Sequence, residues 1–398
     1  MLKVKVGLFR SLDMLKFKNM KEEREKLLEE LKPEEIIGTF KINEQAKALH
    51  PDFQELIVDR VEEHENCDAK SYILVSKNNK VAYFRAGQSL SLKLRIGNSF
   101  VTRSYSISSS PKEAAEGKYR ITVKKKENGF VSDYILNNFT VDTKVIASAP
   151  YGNMYYESLR DNKNVVAIAG GSGITPFISI AHAIKDGIED FNLTIIYGSK
   201  TYNSILFKKE LDKLQQECNK VKVIHVLSDE EKDGYEHGFI TSKIISKYVQ
   251  APYSVFVSGP SNMHKHIEQE LLKLDIDNKN VRYETLTADD NITKEFNFPK
   301  EVIGKTFKIK VIQGPDTYVI DANSTESLLV ALERAGIKAP SKCRGGECGW
   351  CRSKLLLGNL YYSKRQDSRR YSDKEFNYIH PCCSFPIDDC TIEIPSEY

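Results

Sequence analysis

The sequence predicts a multidomain chain with three folded parts: an antiparallel β-barrel, an α/β domain built on a parallel sheet, and a smaller α+β domain. Three observations carry this. The 398 residues exceed what one hydrophobic core usually organises and suffice for two or three. The apolar pattern changes along the chain, from short punctuated strands, to strands alternating with amphipathic stretches, to a hairpin followed by a short helix. Six of the eight cysteines lie between positions 343 and 390, which sets the last part chemically apart.

The elements follow in order. Residues 1–52 are an N-terminal extension, with a basic, partly apolar opening over 1–21 and helical spacing over 22–31 that ends before Pro33 and reads as a surface helix. Residues 53–155 carry short strands rich in Val, Ile, Tyr and Leu, punctuated by Asn-Asn, Gly and Pro, as an antiparallel barrel requires. In residues 156–286, apolar strands at 165–169, 193–197, 221–226 and 254–257 alternate with amphipathic stretches at 207–217 and 264–274. That alternation means a parallel sheet with crossover helices. Residues 287–304 read as a polar linker without periodicity. Residues 305–398 open with a hairpin of 307–312 and 317–322 around Gly314-Pro315-Asp316, continue with a helix over 327–335 stopped by Gly336, and end with a strand at 391–394.

Composition excludes several classes. With 58 basic and 55 acidic residues the formal charge is +3, too small to imply nucleic acid or a membrane surface as partner. No apolar run reaches the roughly 20 residues of a membrane span, and Met1 does not begin a secretory signal, so a cytoplasmic placement is expected. In a reducing compartment the clustered thiols read as a metal or cluster site, while Cys67 and Cys218 read as core thiols.

The strongest motif is Cys343-Arg-Gly-Gly-Glu-Cys348-Gly-Trp-Cys351, a C-x4-C-x2-C run followed about thirty residues later by Cys382-Cys383. This is the plant-type 2Fe-2S ligand spacing. Four thiolates hold two irons and two sulfides, and Gly345, Gly346 and Gly349 let the loop bend around them and aim its amides at the sulfurs. A zinc ribbon would bring its second pair as another C-x2-C, and a Rieske centre would need two histidines that the loop lacks. Trp350 inside the loop faces either a partner or a neighbouring domain, and His380 beside the last cysteines reads as a packing residue.

In the barrel, Arg103-Ser-Tyr105-Ser106 places an arginine, an aromatic hydroxyl and a serine at alternating positions of a strand, on one face suited to a flavin. The arginine pairs with a pyrophosphate and the tyrosine lies along the ring edge. Gly129-Phe-Val-Ser132 turns into a helix whose N-terminus receives a phosphate, and Ala149-Pro150-Tyr151-Gly152 closes the domain. The second domain opens with a buried strand that runs into Gly170-Gly171-Ser-Gly173-Ile-Thr175-Pro176, where a dinucleotide pyrophosphate approaches bare backbone at a helix start. His264 and His266 read as a solvated helix face.

With these motifs the chain resembles the ferredoxin-NADP reductase superfamily, specifically its phthalate dioxygenase reductase-like and phenylacetyl-CoA epoxidase reductase-like members with a C-terminal ferredoxin domain, from about Phe53 onward. The resemblance implies an FAD-binding barrel, an NAD(P)-binding domain and a β-grasp 2Fe-2S domain. It implies Arg103, Tyr105, Ser106, Gly129 and Ser132 for the flavin, and Gly170, Gly171, Gly173 and Thr175 for the nucleotide. Tyr197-Gly198-Ser199-Lys200 is similar to the next nucleotide-contacting strand end, and Ser258-Gly259-Pro260-Ser-Asn-Met263 to the family's C-G-P-x-x-M. There Ser258 stands where the family has a cysteine beside the nicotinamide, so Ser258 and Tyr105 are the catalytic candidates. Plant-type ferredoxins carry a proline four residues after the last ligand; Pro386 therefore selects Cys382 to complete Cys343, Cys348 and Cys351, leaving Cys383 as a packed neighbour.

The resemblance favours FAD over FMN through the Gly129 to Ser132 turn. The acids of Ser228-Asp229-Glu230-Glu231 favour NADH over NADPH, because they repel a 2′-phosphate, with Lys200 dissenting. A nucleotide gives two electrons and a cluster accepts one, so a flavin stands between them. The expected function is electron transfer from NAD(P)H through FAD and the cluster to a downstream redox protein or terminal enzyme component. The alternatives are a general NADH-dependent ferredoxin or flavodoxin reductase and a redox-sensing binding module.

Overall fold

A computed structural model of the chain describes residues 40–78, 80–286 and 292–396, with a few positions between 20 and 30. The chain divides into a short unit ending at Ala48 and a large one from Leu49 onward. Positions 22–24, 26, 27 and 30 of the expected helix are helical, the basic opening over 1–21 lies outside the described residues except for position 20, and α1 spans Lys41–Leu49.

The large unit begins with a six-stranded sheet of β1 (Phe53–His64), β2 (Ala69–Val75), β3 (Ser89–Ile96), β4 (Ser99–Ser106), β5 (Lys118–Lys124) and β6 (Lys144–Ser148), with α2 (Pro111–Ala115) and α3 (Phe130–Asn138) inserted. The order is β4-β3-β6-β1-β2-β5, every pairing is antiparallel, and a bridge from Ile107 to Ile121 brings the two edges together as a barrel requires. Period-two alternation sends Leu56, Val58, Tyr72, Leu74, Leu90 and Leu92 into its core.

The second sheet holds β7 (Asn164–Gly170), β8 (Asn192–Ser199), β9 (Val221–Leu227), β10 (Glu236–His237), β11 (Ser254–Ser258) and β12 (Val281–Tyr283), crossed by α4 (Thr175–Lys185), α5 (Lys208–Glu217), α6 (Ser242–Tyr248) and α7 (Ser261–Leu271). Its order, β10-β9-β8-β7-β11-β12, is parallel throughout. Strand order reverses between β7 and β11, so the crevice beyond their carboxyl ends is the ligand position of such sheets. Arg120 on β5 grips Glu210 on α5 with Nη1 at 3.1 Å and Nη2 at 2.7 Å, which ties barrel to parallel sheet. Burial opposes ionisation of Glu210, yet His182 and Arg120 hold its pKa down to about 2.

The amphipathic stretch expected at 264–274 begins three residues earlier, at Ser261, immediately after Pro260. This turns His264 inward rather than onto a solvated face: it is 5% exposed against Tyr283, and burial lowers its pKa to about 4. His266 is likewise engaged within the protein, its Nε2 lying 2.8 Å from the Ile240 carbonyl. Neither contact has a local sequence signal.

The third sheet contains β13 (Thr306–Gln313), β14 (Asp316–Asn323), β15 (Ser353–Leu357), β17 (Tyr378–Ile379) and β19 (Cys390–Glu393), in the order β14-β13-β19-β15-β17. A separate pair is formed by β16 (Leu360–Tyr362) and β18 (Ser384–Pro386), while α8 (Leu328–Arg334) and α9 (Tyr371–Glu375) flank the sheets. The hairpin turns at Gly314-Pro315, and β13 pairs parallel with β19. The span expected as a linker lies outside the described residues over 287–291; beyond it, Ile292, Phe298 and Val302 pack on Phe385. Three apolar residues at irregular intervals give no periodic signal, yet they suffice to anchor the segment. Among the described residues no helix is long and apolar enough to cross a membrane.

Candidate functional site

At the sheet's switch point, Gly170 ends β7, and a 3-10 turn over Gly171–Ile174 leads into α4, with Pro176 in its first turn. The glycines there serve different ends. A Cβ at Gly173 would overlap the Ser258 carbonyl, which is backbone, so glycine is needed there for the turn to seat on the 258–263 segment, whereas one at Gly170 would meet the Met263 sulfur and require that side chain to shift. Gly171, at φ +55°, has open space where a side chain would be. Bare backbone at a helix N-terminus suits an anionic dinucleotide. Gly170 pairs with Gly198, which brings the buried Ser199 to the same rim, and Gly259 and Pro260 border it from β11. Asp229 and Glu230 reach the rim too: the Asp229 amide donates to the Lys200 carbonyl at 2.9 Å, and Glu230 Oε2 accepts from the Tyr202 amide at 2.7 Å.

The β3–β4 hairpin corrects one expectation. Side chains alternate along a strand, so Arg103 and Tyr105 share a face, while Ser106 lies on the opposite one with Ser104. Tyr105 packs on the barrel core, and burial pushes its phenol pKa well up. On the other face, Ser89 stands opposite Ser106 and Ser91 opposite Ser104, forming a row of small hydroxyls.

That row is covered from two directions. Glu284, just past β12, takes hydrogen bonds from Ser106 at 3.0 Å and Ser89 at 3.3 Å on one oxygen, and from Ser258 at 2.6 Å on the other. The residue as a whole is only half-buried, but its carboxylate end is enclosed by the three hydroxyls; burial raises its pKa and the hydrogen bonds oppose that. Ser258 and Ser106 are thus joined through a residue that the sequence reading missed. Two positions further along the row, the Lys342 carbonyl accepts from Ser104 at 2.9 Å and Ser91 at 3.1 Å. Gly345 backs onto the Thr285 carbonyl, where a Cβ would not fit, so the cysteine loop also meets the tail that carries Glu284.

The loop itself is tied to its own domain. Arg344, at φ +59°, makes a buried two-point ion pair with Glu333 on α8, its Nη2 at 3.0 Å. His380 Nδ1 lies 2.8 Å from the Gly346 carbonyl, in keeping with a packing role. Cys343, Cys351 and Cys382 are buried, Cys348 is exposed, and the Cys351 and Cys382 sulfurs are 3.5 Å apart. Cys383 directs its thiol to the His380 carbonyl at 3.5 Å instead.

The residues fit a cluster. The amides of Gly345 and Cys348 point at Cys343 Sγ and that of Trp350 at Cys348 Sγ, each at 3.4 Å. Bonding from the Cys348 thiol, then from the loop amides, outweighs burial and holds the Cys343 pKa well below that of an ordinary thiol. Trp350 is 42% exposed, with the Lys342 amine 5.3 Å from its ring.

Gly129 and Ser132 sit at the start of α3, and no hydrogen bond joins them to the other site residues among the described residues. Ser132 Oγ is buried without a partner in the protein, a donor that a phosphate oxygen would satisfy, and a Cβ at Gly129 would collide with it. The α3 start therefore fits a phosphate, as the bare backbone of the 170–176 turn does.

Comparison with known proteins agrees with this geometry. Three family models match in succession: an oxidoreductase FAD-binding domain over 58–156, an oxidoreductase NAD-binding domain over 167–269 and a 2Fe-2S iron-sulfur cluster binding domain over 311–387. The chain is 23% identical to the glycine betaine monooxygenase reductase subunit of Chromohalobacter salexigens, over 83% of this chain and 92% of that protein. It is 26% identical to one of the subunits of the 1,2-phenylacetyl-CoA epoxidase of Escherichia coli, over 84% of this chain and 95% of that protein. Its fold is similar to the solved structure of phthalate dioxygenase reductase, with a TM-score of 0.61 at 21% identity, covering 86% of this chain and 98% of that one.

Proposed function

The chain belongs to the ferredoxin-NADP reductase superfamily, as a multidomain oxidoreductase with FAD-binding, NAD-binding and 2Fe-2S domains, and from that premise we propose that it carries electrons from NADH to the terminal component of an oxygenase-type enzyme. One observation supports this above the others: the nucleotide crevice, through Ser258 and Glu284, and the cysteine loop, through Lys342, both close on the same β3–β4 hairpin that carries Arg103 and Tyr105. A sensor that only registers a redox state has no use for such convergence.

In this reading residues 53–155 bind the flavin, 156–286 the nucleotide and 305–398 the cluster. A flavin held there would supply the conversion of two-electron hydride chemistry into the single-electron steps that a 2Fe-2S cluster accepts. The chain's own residues bind, orient and shield. Arg103 and the α3 start, with Gly129 and Ser132, hold phosphates; the unpaired Ser132 hydroxyl supports FAD, whose second phosphate gives it a partner. Gly171 and the α4 start receive the dinucleotide, while Gly198, Ser199, Gly259 and Pro260 frame it. Asp229 and Glu230 beside the β8 end support NADH by charge repulsion of a 2′-phosphate. Ser258, fixed by Glu284, walls the crevice where the family's cysteine would stand, and Cys343, Cys348, Cys351 and Cys382 hold the cluster.

The test is an anaerobic spectrum of the purified protein with iron, sulfide and flavin quantified, then titration with NADH and, separately, NADPH. The reading expects about two irons and one FAD per chain, and bleaching of both flavin and cluster bands at far lower NADH than NADPH. Zinc in place of iron, or no bleaching with either nucleotide, refutes it. The acceptor is tested by asking which oxygenase component the reduced protein reoxidises against.

A further inference from the structure

Three hydroxyls converge on one carbonyl. Ser91 Oγ and Ser104 Oγ lie 3.1 and 2.9 Å from the Lys342 oxygen, Tyr151 OH lies 3.4 Å from it, and Tyr151 also hydrogen-bonds Ser104. A carbonyl has two lone pairs and each hydroxyl one proton, so the arrangement that satisfies all of them has Ser91 and Ser104 donating to Lys342 while Tyr151 donates to Ser104. Beside them Thr102 Oγ1 meets Ser341 Oγ at 2.6 Å. The Lys342 amine lies 4.7 Å from the Tyr151 ring, which secures the same residue by its other end. These partners are 251 and 238 positions apart in sequence for the two serines, and the acceptor immediately precedes Cys343.

The serines' strand has a second face, which carries Arg103 and Tyr105. We propose that Ser91, Ser104 and Tyr151 are positioning residues for electron transfer from flavin to cluster: by fixing the Lys342 carbonyl they set where Cys343 stands relative to the flavin side of β4. In that step the reduced flavin loses one electron and the cluster's ferric pair gains it, with no bond made or broken. The inference rests on the electron-transfer reading given above.

The test uses full-length holoprotein carrying Ser91→Ala with Ser104→Ala, and separately Tyr151→Phe. Iron and flavin content are checked, the flavin and cluster bands are followed by stopped flow after mixing with NADH, and amide exchange is measured over 341–351. The expected result is unchanged iron, flavin and flavin reduction, cluster reduction slowed about tenfold to a hundredfold, and faster loop exchange, because small misplacements cost rate steeply. Tyr151→Phe, which removes only the relayed donor, gives the same split more weakly. Unchanged cluster reduction and exchange overturns the proposal, as does a flavin reduction that falls equally with the cluster's. If the double variant fails to load its cofactors, Tyr151→Phe decides by the same two criteria. Wild-type protein that holds no iron, or whose cluster NADH leaves oxidised, refutes the electron-transfer reading itself and the proposal with it.

Discussion

The two glycine-rich loops of this protein are built to opposite specifications. The 343–351 loop is held from several sides, by Glu333 on Arg344, His380 on the Gly346 carbonyl, the β3–β4 serines on Lys342, and the Gln366 carbonyl pressed against Gly346. The 170–175 turn packs against Met263 and Ser258 and takes a hydrogen bond from the Tyr197 hydroxyl to the Gly171 carbonyl at 2.9 Å, while the side-chain direction of Gly171 opens to free space. The difference follows from what each receives. A cluster bonded to four sulfurs stays, and its surroundings set its distance and potential; a nucleotide must enter and leave with every turnover.

The sharpest way to break this comparison is Cys351→Ser. Iron and sulfide are expected to fall to a small fraction of wild type while flavin content holds, measured on the same preparation; retention of both irons would remove the loop's assignment. Next in size is Arg344→Ala, which strands Glu333 in the interior. Breaking a buried pair costs about 3–5 kcal/mol, seen as a lower denaturation midpoint. The glycines then test the asymmetry directly. Gly346→Ala, with positive φ and no room, is expected to lose about 3 kcal/mol; Gly171→Ala, with positive φ but open space, about 1 kcal/mol, with a raised KM for NADH. Equal losses at the two sites would erase the contrast.

Smaller effects sharpen the nucleotide side. Asp229→Asn with Glu230→Gln is expected to narrow the preference for NADH over NADPH by about thirtyfold in kcat/KM, as removal of about 1 kcal/mol of repulsion per charge implies. The smallest expected effect is at Glu284, whose pKa is raised in the folded protein. Folding therefore favours the protonated form relative to the unfolded chain, so its contribution is full below the unfolded carboxylate pKa, about 4.3, and is lost as pH rises through the raised folded value. Glu284→Gln, neutral throughout, should match wild type in thermal midpoint at low pH and exceed it as pH rises through that window.

Legibility in the sequence followed locality. The β7, β8, β9 and β11 runs, the helix over 208–217, the glycine turn and the cysteine spacing were readable because period, spacing and turn chemistry lie within a dozen residues. The hydroxyl row was half visible: Ser89-Leu-Ser91-Leu and Thr102-Arg-Ser104-Tyr-Ser106 alternate, but nothing nearby says what covers the polar face. Its partners, Glu284 and Lys342, arrive from well over a hundred residues away. His264 shows the same limit, since a histidine on an amphipathic helix reads as solvated until Tyr283 is known to lie over it. The strands β16, β17 and β18 escaped because two or three residues are too few for a period to register.

Ser89 and Ser91 are neighbours on one face, as are Ser106 and Ser104, so the contact made by residue 284 and that made by residue 342 are one strand repeat apart, about 7 Å. Both outer modules are thus gauged from the same short ruler, in addition to the direct approach of Gly345 to the Thr285 carbonyl. Errors along the 178 and 238 positions that separate Ser106 from Glu284 and Ser104 from Lys342 do not accumulate at the junction. A module exchanged for a relative's would keep the spacing as long as it brought its own carboxylate or carbonyl to the matching rung.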